Sequence, residues 1–292
     1  VKLSAKLIVR TFGFTLMSLL LAPVSHSETR IALEDKPKIQ TTLKSSSCDI
    51  SLLKSSRPFP LSTLRLMTYN VKNLFTYRGK FDRISPTEFK RKSPEKPKPI
   101  SELLGVVKVL NESNPEVVVL QEVDDIFSLH KLNKDYLGDR FHVLLIEGND
   151  ARGIDVGFMV LKSLKVRMKL DTYRHETWAD PAEGDIEPLF SRDFPILRLY
   201  ELGEDVPFFV IAGVHGKSQR DRRGDPQSVN WRTMQYQRSA EIVSEIRNKY
   251  GAATEEVYGF ELPFVIAGDF NVHIPEAIEM KPFWQLGFHD TL

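Results

Sequence analysis

The chain is poor in the features that announce the commoner catalytic and binding classes. A single cysteine, Cys48, occurs in 292 residues, so no intramolecular disulfide can form and the fold must be held by its core. Cys48 also has no base near it in sequence, which leaves it without the partner that a catalytic thiolate needs. No Gly-x-x-x-x-Gly-Lys-Ser/Thr loop is present, which excludes a P-loop, and no Gly-x-Ser-x-Gly elbow marks an esterase. The seven histidines show no pair or triple at the short spacing of a zinc site. The formal charge is only +1, so no overall basic field signals a nucleic-acid binder. The longest uncharged apolar run, Phe12 to Leu21, is too short to cross a bilayer comfortably.

That run has a basic start in Lys2, Lys6 and Arg10 and small residues beyond it at Ser25-His26-Ser27. The order is that of a secretory signal peptide, with an uncleaved anchor as the alternative. Residues 1–27 are therefore expected to be a leader, and the protein to be secreted or periplasmic. Removing the leader's three cations leaves −2. Residues 28–62 mix charged residues, Ser, Thr and Pro without periodicity and are expected to be a flexible lead-in. Residues 63–292 are expected to form one α/β domain, because apolar runs alternate with helical patterns and no internal repeat or linker divides them.

The most informative stretch is Pro263-Phe264-Val265-Ile266-Ala267-Gly268-Asp269-Phe270-Asn271. Its apolar run predicts a buried strand, and Gly268 frees the backbone where the strand ends. Asp269 and Asn271, two positions apart, share a face if the backbone stays extended. Taken alone, the same residues also suit an ordinary turn. Other strand ends repeat the pattern. Leu64 to Tyr69 leads to Asn70, Glu116 to Leu120 leads to Gln121-Glu122, and Pro207 to Val214 leads to His215. His215 is followed by Lys217, Arg220, Arg222 and Arg223, a cationic edge suited to phosphate. The bland alternative for His215 is a structural hydrogen-bonder. Asp155 interrupts the apolar run Ile154 to Leu161 and fits either an edge or a site.

Helices are expected over Ile100 to Asn111, Asp125 to Tyr136 and Trp231 to Asn248, the last with Trp231, Met234, Ile242, Val243 and Ile246 inward. Trp178 to Arg192 reads as a long connection. Between Arg78 and Lys98 eight Lys or Arg stand against three acids, a net of +5. Pro86, Pro94 and Pro97, with Pro99 just beyond, make that stretch a loop, either a solvated insertion or a contact to a polyanion.

The strand-end residues are oxygen and imidazole donors without cysteine, a set that suits a hard cation such as Mg²⁺. In the order Thr68-Tyr69-Asn70, Leu120-Gln121-Glu122, Gly213-Val214-His215 and Gly268-Asp269-Phe270-Asn271, the chain resembles the endonuclease/exonuclease/phosphatase superfamily, the deoxyribonuclease-I-like phosphodiesterases. Ala151 to Met159 and Phe190-Ser191-Arg192-Asp193 look like a secreted bacterial branch of it.

The resemblance implies a four-layer α/β/β/α sandwich and a metal-dependent phosphodiester hydrolase, most simply an extracellular or periplasmic nuclease acting as a monomer. Its partner would be nucleic acid or another phosphodiester, with no stable membrane insertion. It implies that Asn70 and Glu122 hold Mg²⁺, with Mn²⁺ or Ca²⁺ as substitutes. Asp269 would position the attacking water, Asn271 and His215 would hold the phosphate, and Lys217 and Arg220 would contact the substrate. Other outcomes on this fold are a phosphatase or lipid phosphodiesterase, or a catalytically inactive phosphate-binding module. The last arises because the family's C-terminal Asp-His motif does not appear before Leu292. The C-terminal strands are accordingly expected to be missing.

Overall fold

The computed structural model describes residues 6–11, 18–21, 63–75, 97–179, 184–273 and 276–290. Two sheets carry the architecture. In the first, the strands β1 (Lys6–Thr11), β3 (Thr63–Leu74), β4 (Val117–Val123), β5 (Phe141–Leu145) and β6 (Asp155–Leu161) run in the order β1-β3-β4-β6-β5. The second contains β2 (Ser18–Leu21), β7 (Arg167–Asp171), β10 (Ile196–Tyr200), β11 (Phe209–His215), β12 (Phe264–Asp269) and β13 (His289–Asp290), in the order β13-β2-β12-β11-β10-β7. A separate two-stranded hairpin joins β8 (Thr177–Ala179) to β9 (Ile186–Pro188). The helices are α1 (Ile100–Ser113), α2 (Ile126–Tyr136), α3 (Val229–Tyr258) and the short α4 (Lys281–Gln285).

The period of two in each strand divides its side chains between two cores. From β4, Val117 and Val119 enter a core shared with the second sheet, while Val118, Leu120 and Val123 face α1 and α2. This explains the unbroken apolar run, since both faces of the strand are covered. From β12, Val265 and Ala267 face the first sheet, and Phe264 and Ile266 pack with α3. Leu103, Val106, Val107 and Leu110 form the buried stripe of α1. The resulting order is helices, sheet, sheet, helix. The mixed α/β expectation thus holds. Gly213 lies where the sheets press together: a Cβ there would come within 2.6 Å of Val156 Cγ1.

Several boundaries differ from the sequence reading. The strand from Leu64 continues to Leu74, and its register with β4 shifts between Asn70 and Leu74. The supposed connection Trp178 to Arg192 contains the β8–β9 hairpin. In α3, Met234 is exposed while Arg232 and Gln235 are buried. Asp125 caps α2, its Oδ1 accepting from Ser128 N–H at 2.7 Å.

Two strands from the residues expected to form a leader pair with the two sheets. Within residues 1–27, β1 pairs in parallel with β3, and β2 pairs antiparallel with β12. These strands lie in the two sheets. β1 lies beside β3, and β2 lies between β12 and β13. No helix among the described residues is long and apolar enough to cross a membrane. The lead-in 28–62 with Cys48, and most of the basic loop 78–98, fall outside the described residues.

Candidate anion site

The parallel pairing of β3 with β4 and of β11 with β12 brings four strand ends to one edge of the sandwich. Asn70 Nδ2 donates to Asp269 Oδ2 at 3.0 Å and to Glu122 Oε1 at 3.2 Å, so three of the expected residues meet. His215 pairs with Asp269 in strand register. Asn271 N–H donates to Asp269 Oδ1 at 2.9 Å, and Asn271 Nδ2 donates to Gly216 O at 3.0 Å. Glu122 and Asn271 both hold left-handed backbone, φ 63 and 53, which a non-glycine residue adopts at a cost of about 1–3 kcal/mol. Gly268 has a harder requirement. At φ 156, a Cβ would lie 1.9 Å from Val214 O.

The metal expectation is corrected by the donors themselves. Asn70 presents its amide N–H, which cannot ligate a cation, to the two carboxylates, and its Oδ1 accepts from Lys72 N–H. Glu122 Oε2 accepts from Asn73 N–H at 3.0 Å. No group of three or more His, Cys, Asp or Glu side chains that could hold a metal ion occurs among the described residues. A Mg²⁺, Mn²⁺ or Ca²⁺ centre on Asn70 and Glu122 therefore does not fit. The metal-dependent nuclease or phosphodiesterase activity built on it falls as well.

Burial sets the protonation of this edge. The Asp269 carboxyl is raised above the usual range by desolvation, with the charge of Glu122 adding to it and hydrogen bonds from Asn271 and Asn70 opposing it. His215 is buried and its Nδ1 finds no partner among the described residues. Its pKa is driven well below the ordinary histidine value by desolvation and by Arg192 and Arg152, which keeps the ring neutral. Asp155 is structural: fully buried, it accepts from Gly148 N–H at 2.7 Å.

Beside this edge opens a cavity of about 570 Å³, which Lys217 and Arg220 help to line. Three more cations stand in its wall: Arg222, already placed on the cationic edge by the sequence, and Arg152 and Arg192, which sequence reasoning did not assign to the site. The Arg-Asp pair within the apolar Phe190 to Phe194 was their clearest signal. Asp150 restrains two of them. Its Oδ1 lies 3.3 Å from Arg152 Nε, and its Oδ2 lies 2.9 Å from Arg192 Nε. The Arg192 N–H is not aimed for a hydrogen bond, so that contact is an ion pair by proximity. Glu187 on β9 similarly holds Arg222 at 3.0 Å. Lys217 and Arg220 have no carboxylate partner among the described residues. Arg192 joins cavity to strand ends, since its Nη1 reaches Gly216 O at 3.4 Å, the oxygen that Asn271 also uses.

The first two turns of α3 build the floor. Gln235 Nε2 and Trp231 Nε1 both donate to Leu189 O, at 2.9 and 2.8 Å, and Gln235 Oε1 accepts from Lys217 N–H at 2.9 Å. Arg232 forms a buried pair with Glu279 at 3.0 Å. Residues that weaken the helix's apolar stripe thus position the loop after β11.

No family model matches the chain, and no curated protein matches it. Among solved structures, truncated Caenorhabditis elegans TDP2 is 18% identical over 64% of this chain and 61% of its own, with a TM-score of 0.42. A functionally unknown conserved protein from Enterococcus faecalis V583 is 17% identical over 75% of this chain and 71% of its own, at 0.43. ANGEL2, a 2′,3′-cyclic phosphatase, in complex with adenosine-2′,3′-vanadate, is 17% identical over 74% of this chain and 55% of its own, at 0.45. The match thus spans less than two thirds of the TDP2 chain. Similarities of this size assign neither family nor activity, and the site rests on its own geometry.

Proposed function

We propose that this protein is a phosphate-binding module whose cavity beside β11 takes a phosphate ester. The supporting observation is the pair Lys217 and Arg220, two cations in the cavity wall without a carboxylate partner among the described residues. Arg152 and Arg192 share the single carboxylate of Asp150 and Arg222 is paired with Glu187, so that with Asp221 three acids stand against five cations and the wall keeps a net positive charge. Guanidinium and ammonium donors bind phosphate oxygens through charge-assisted hydrogen bonds, and partial burial of Lys217 strengthens that attraction. Neutral His215 and the Asn271 amide lie at the same edge as polar groups that add no repulsion. In this reading the module binds, and no metal-dependent hydrolysis is assigned to it.

The test is calorimetric titration with phenyl phosphate, inorganic phosphate and a single-stranded hexanucleotide at low and moderate salt. The oligonucleotide asks whether the same site accepts the phosphodiester of a nucleic acid. Saturable binding of phenyl phosphate is expected. Lys217→Ala and Arg220→Ala should each weaken it about 10- to 100-fold, the range of one hydrogen bond to a charged group. Absence of saturable binding by the wild-type chain would overturn the reading.

A further inference from the structure

Trp231 stands at the head of α3, 5% exposed and held by its hydrogen bond to Leu189 O. Trp178 packs against it with ring centroids 5.4 Å apart. Lys217 Nζ sits 3.8 Å from the centre of the Trp231 ring, and the Arg222 guanidinium lies 4.3 Å from it. Arg222 is also tied to Glu187. The Lys217 amine, by contrast, rests on an aromatic surface inside a cationic cavity and makes no direct ion pair among the described residues, Glu187 and Asp150 favouring its proton only weakly against burial and the neighbouring arginines.

We propose that Lys217 is a nucleophilic amine that captures a phosphorylated aldehyde as an imine, its phosphate held by the neighbouring cations. This deepens the phosphate-ester reading and rests on it. A lysine becomes nucleophilic when it is desolvated or set beside other cations, and Lys217 meets both conditions. Burial first, and then Arg192 and Arg222, push its pKa down to about 8, so the neutral amine is a minor but far larger fraction near neutral pH than for an ordinary lysine. The amine lone pair adds to the carbonyl carbon, and the proton it releases passes to the carbonyl oxygen. The resulting carbinolamine loses water as its C–O bond breaks, leaving the C=N bond. Amine and aldehyde are consumed, water is formed, and no oxidant or reductant takes part. A bound phosphate raises the amine's pKa again, so the reaction is best read at a pH slightly above 8.

The experiment uses the full chain with pyridoxal 5′-phosphate as probe, borohydride reduction of the imine, and peptide mapping by mass spectrometry. Pyridoxal, which lacks the phosphate, serves as the comparison. The expected result is a reduced adduct at Lys217, reached at about tenfold lower concentration with pyridoxal 5′-phosphate than with pyridoxal. Phenyl phosphate should suppress the adduct in the wild-type chain, an observation independent of any variant. Lys217→Arg keeps a cation but offers no such amine, and should yield no adduct at that position. Labelling spread over surface lysines, or equal labelling by the two probes, overturns the imine proposal. If phenyl phosphate still binds saturably in that case, the phosphate-ester reading survives. If it does not bind, both fall.

Discussion

Asn70 and Asp269 lie 199 residues apart and on different sheets, yet the Asn70 amide donates to the Asp269 carboxylate at 3.0 Å. That bond joins the sheets at the edge where the strands end, and the same amide reaches Glu122. A neutral donor therefore separates two carboxylates that would otherwise repel each other.

Replacing that donor with an acid should be costly in a pH-dependent way. Asn70→Asp would place a third carboxylate against Glu122 and Asp269, removing the hydrogen bonds and adding like charge. We expect a loss of about 2–4 kcal/mol at pH 7.5. The new carboxyl would have a folded pKa above its unfolded value, so the penalty should shrink as pH falls. Urea denaturation at pH 7.5 and 5 measures it; an equal loss at both would mean that charge is not the cause.

His215 sets a second pH dependence of opposite sign. Its folded pKa lies well below its unfolded value, so the unfolded chain takes up a proton first as pH drops. Stability contributed by the buried neutral ring is present above the unfolded pKa. It is lost as pH falls through about 6.5 toward the folded pKa, with a limiting slope of about 1.4 kcal/mol per pH unit. His215→Gln removes the titration. The difference between wild type and variant, followed from pH 7.5 to 5, should change by about 1–2 kcal/mol in the variant's favour. A constant difference would show that the ring is not protonated on unfolding.

Two glycines should respond to alanine in opposite directions. At Gly268 a Cβ would sit 1.9 Å from Val214 O, backbone that cannot move without breaking the β11–β12 pairing. Gly268→Ala is expected to destabilise by more than about 3 kcal/mol. Gly105 in α1 has nothing within 4 Å of its added Cβ, so Gly105→Ala should stabilise by roughly 0.5–1 kcal/mol. Thermal melts of the two variants beside wild type decide the matter.

The parts legible in sequence were those written locally. Val117–Val123 and Phe264–Asp269 show as strands because burial on both faces demands unbroken apolar runs. The meeting of Asn70, Glu122 and Asp269 was foreseeable from the repeated placement of polar residues at strand ends. What those residues do there was not legible, because the direction in which Asn70 turns its amide depends on two carboxylates distant in sequence. Likewise, Arg232 and Gln235 look like solvent-facing interruptions of α3 until Glu279 and the Leu189 carbonyl supply their partners. β8–β9 is three residues per strand, too short for periodicity to register. The apolar run near the N-terminus fits an exported leader and a sheet strand equally well, since both require only uncharged apolar residues.

The Arg232–Glu279 pair offers a stability test separate from ligand binding. Both side chains are buried, at 1% and 8% exposure. Breaking the pair on one side leaves an uncompensated charge, so Arg232→Met or Glu279→Leu alone should cost about 3–5 kcal/mol. Making both substitutions removes both charges and should recover much of that loss. Chemical denaturation of the singles and the double forms a mutant cycle; additive losses would deny the coupling.

Asp150 sets ligand affinity against stability. Its carboxylate neutralises part of the charge of Arg152 and Arg192 on the cavity wall. Arg192 is 5% exposed, and desolvation already lowers its pKa while Asp150 opposes that shift. Asp150→Asn would leave the guanidinium buried without its counter-charge and should destabilise the fold by about 3 kcal/mol. The same change removes a negative charge facing the cavity, and at an effective dielectric near 20 one unit charge several ångströms away is worth roughly 2 kcal/mol. Phosphate-ester binding should therefore tighten about tenfold, allowing for partial screening. Calorimetry with phenyl phosphate and a thermal melt on the same preparation read both effects. Tighter binding with a lower melting temperature is the expected combination. Weaker binding by a chain that remains folded would mean that Asp150 serves the ligand by orienting Arg152 and Arg192, rather than opposing it through charge.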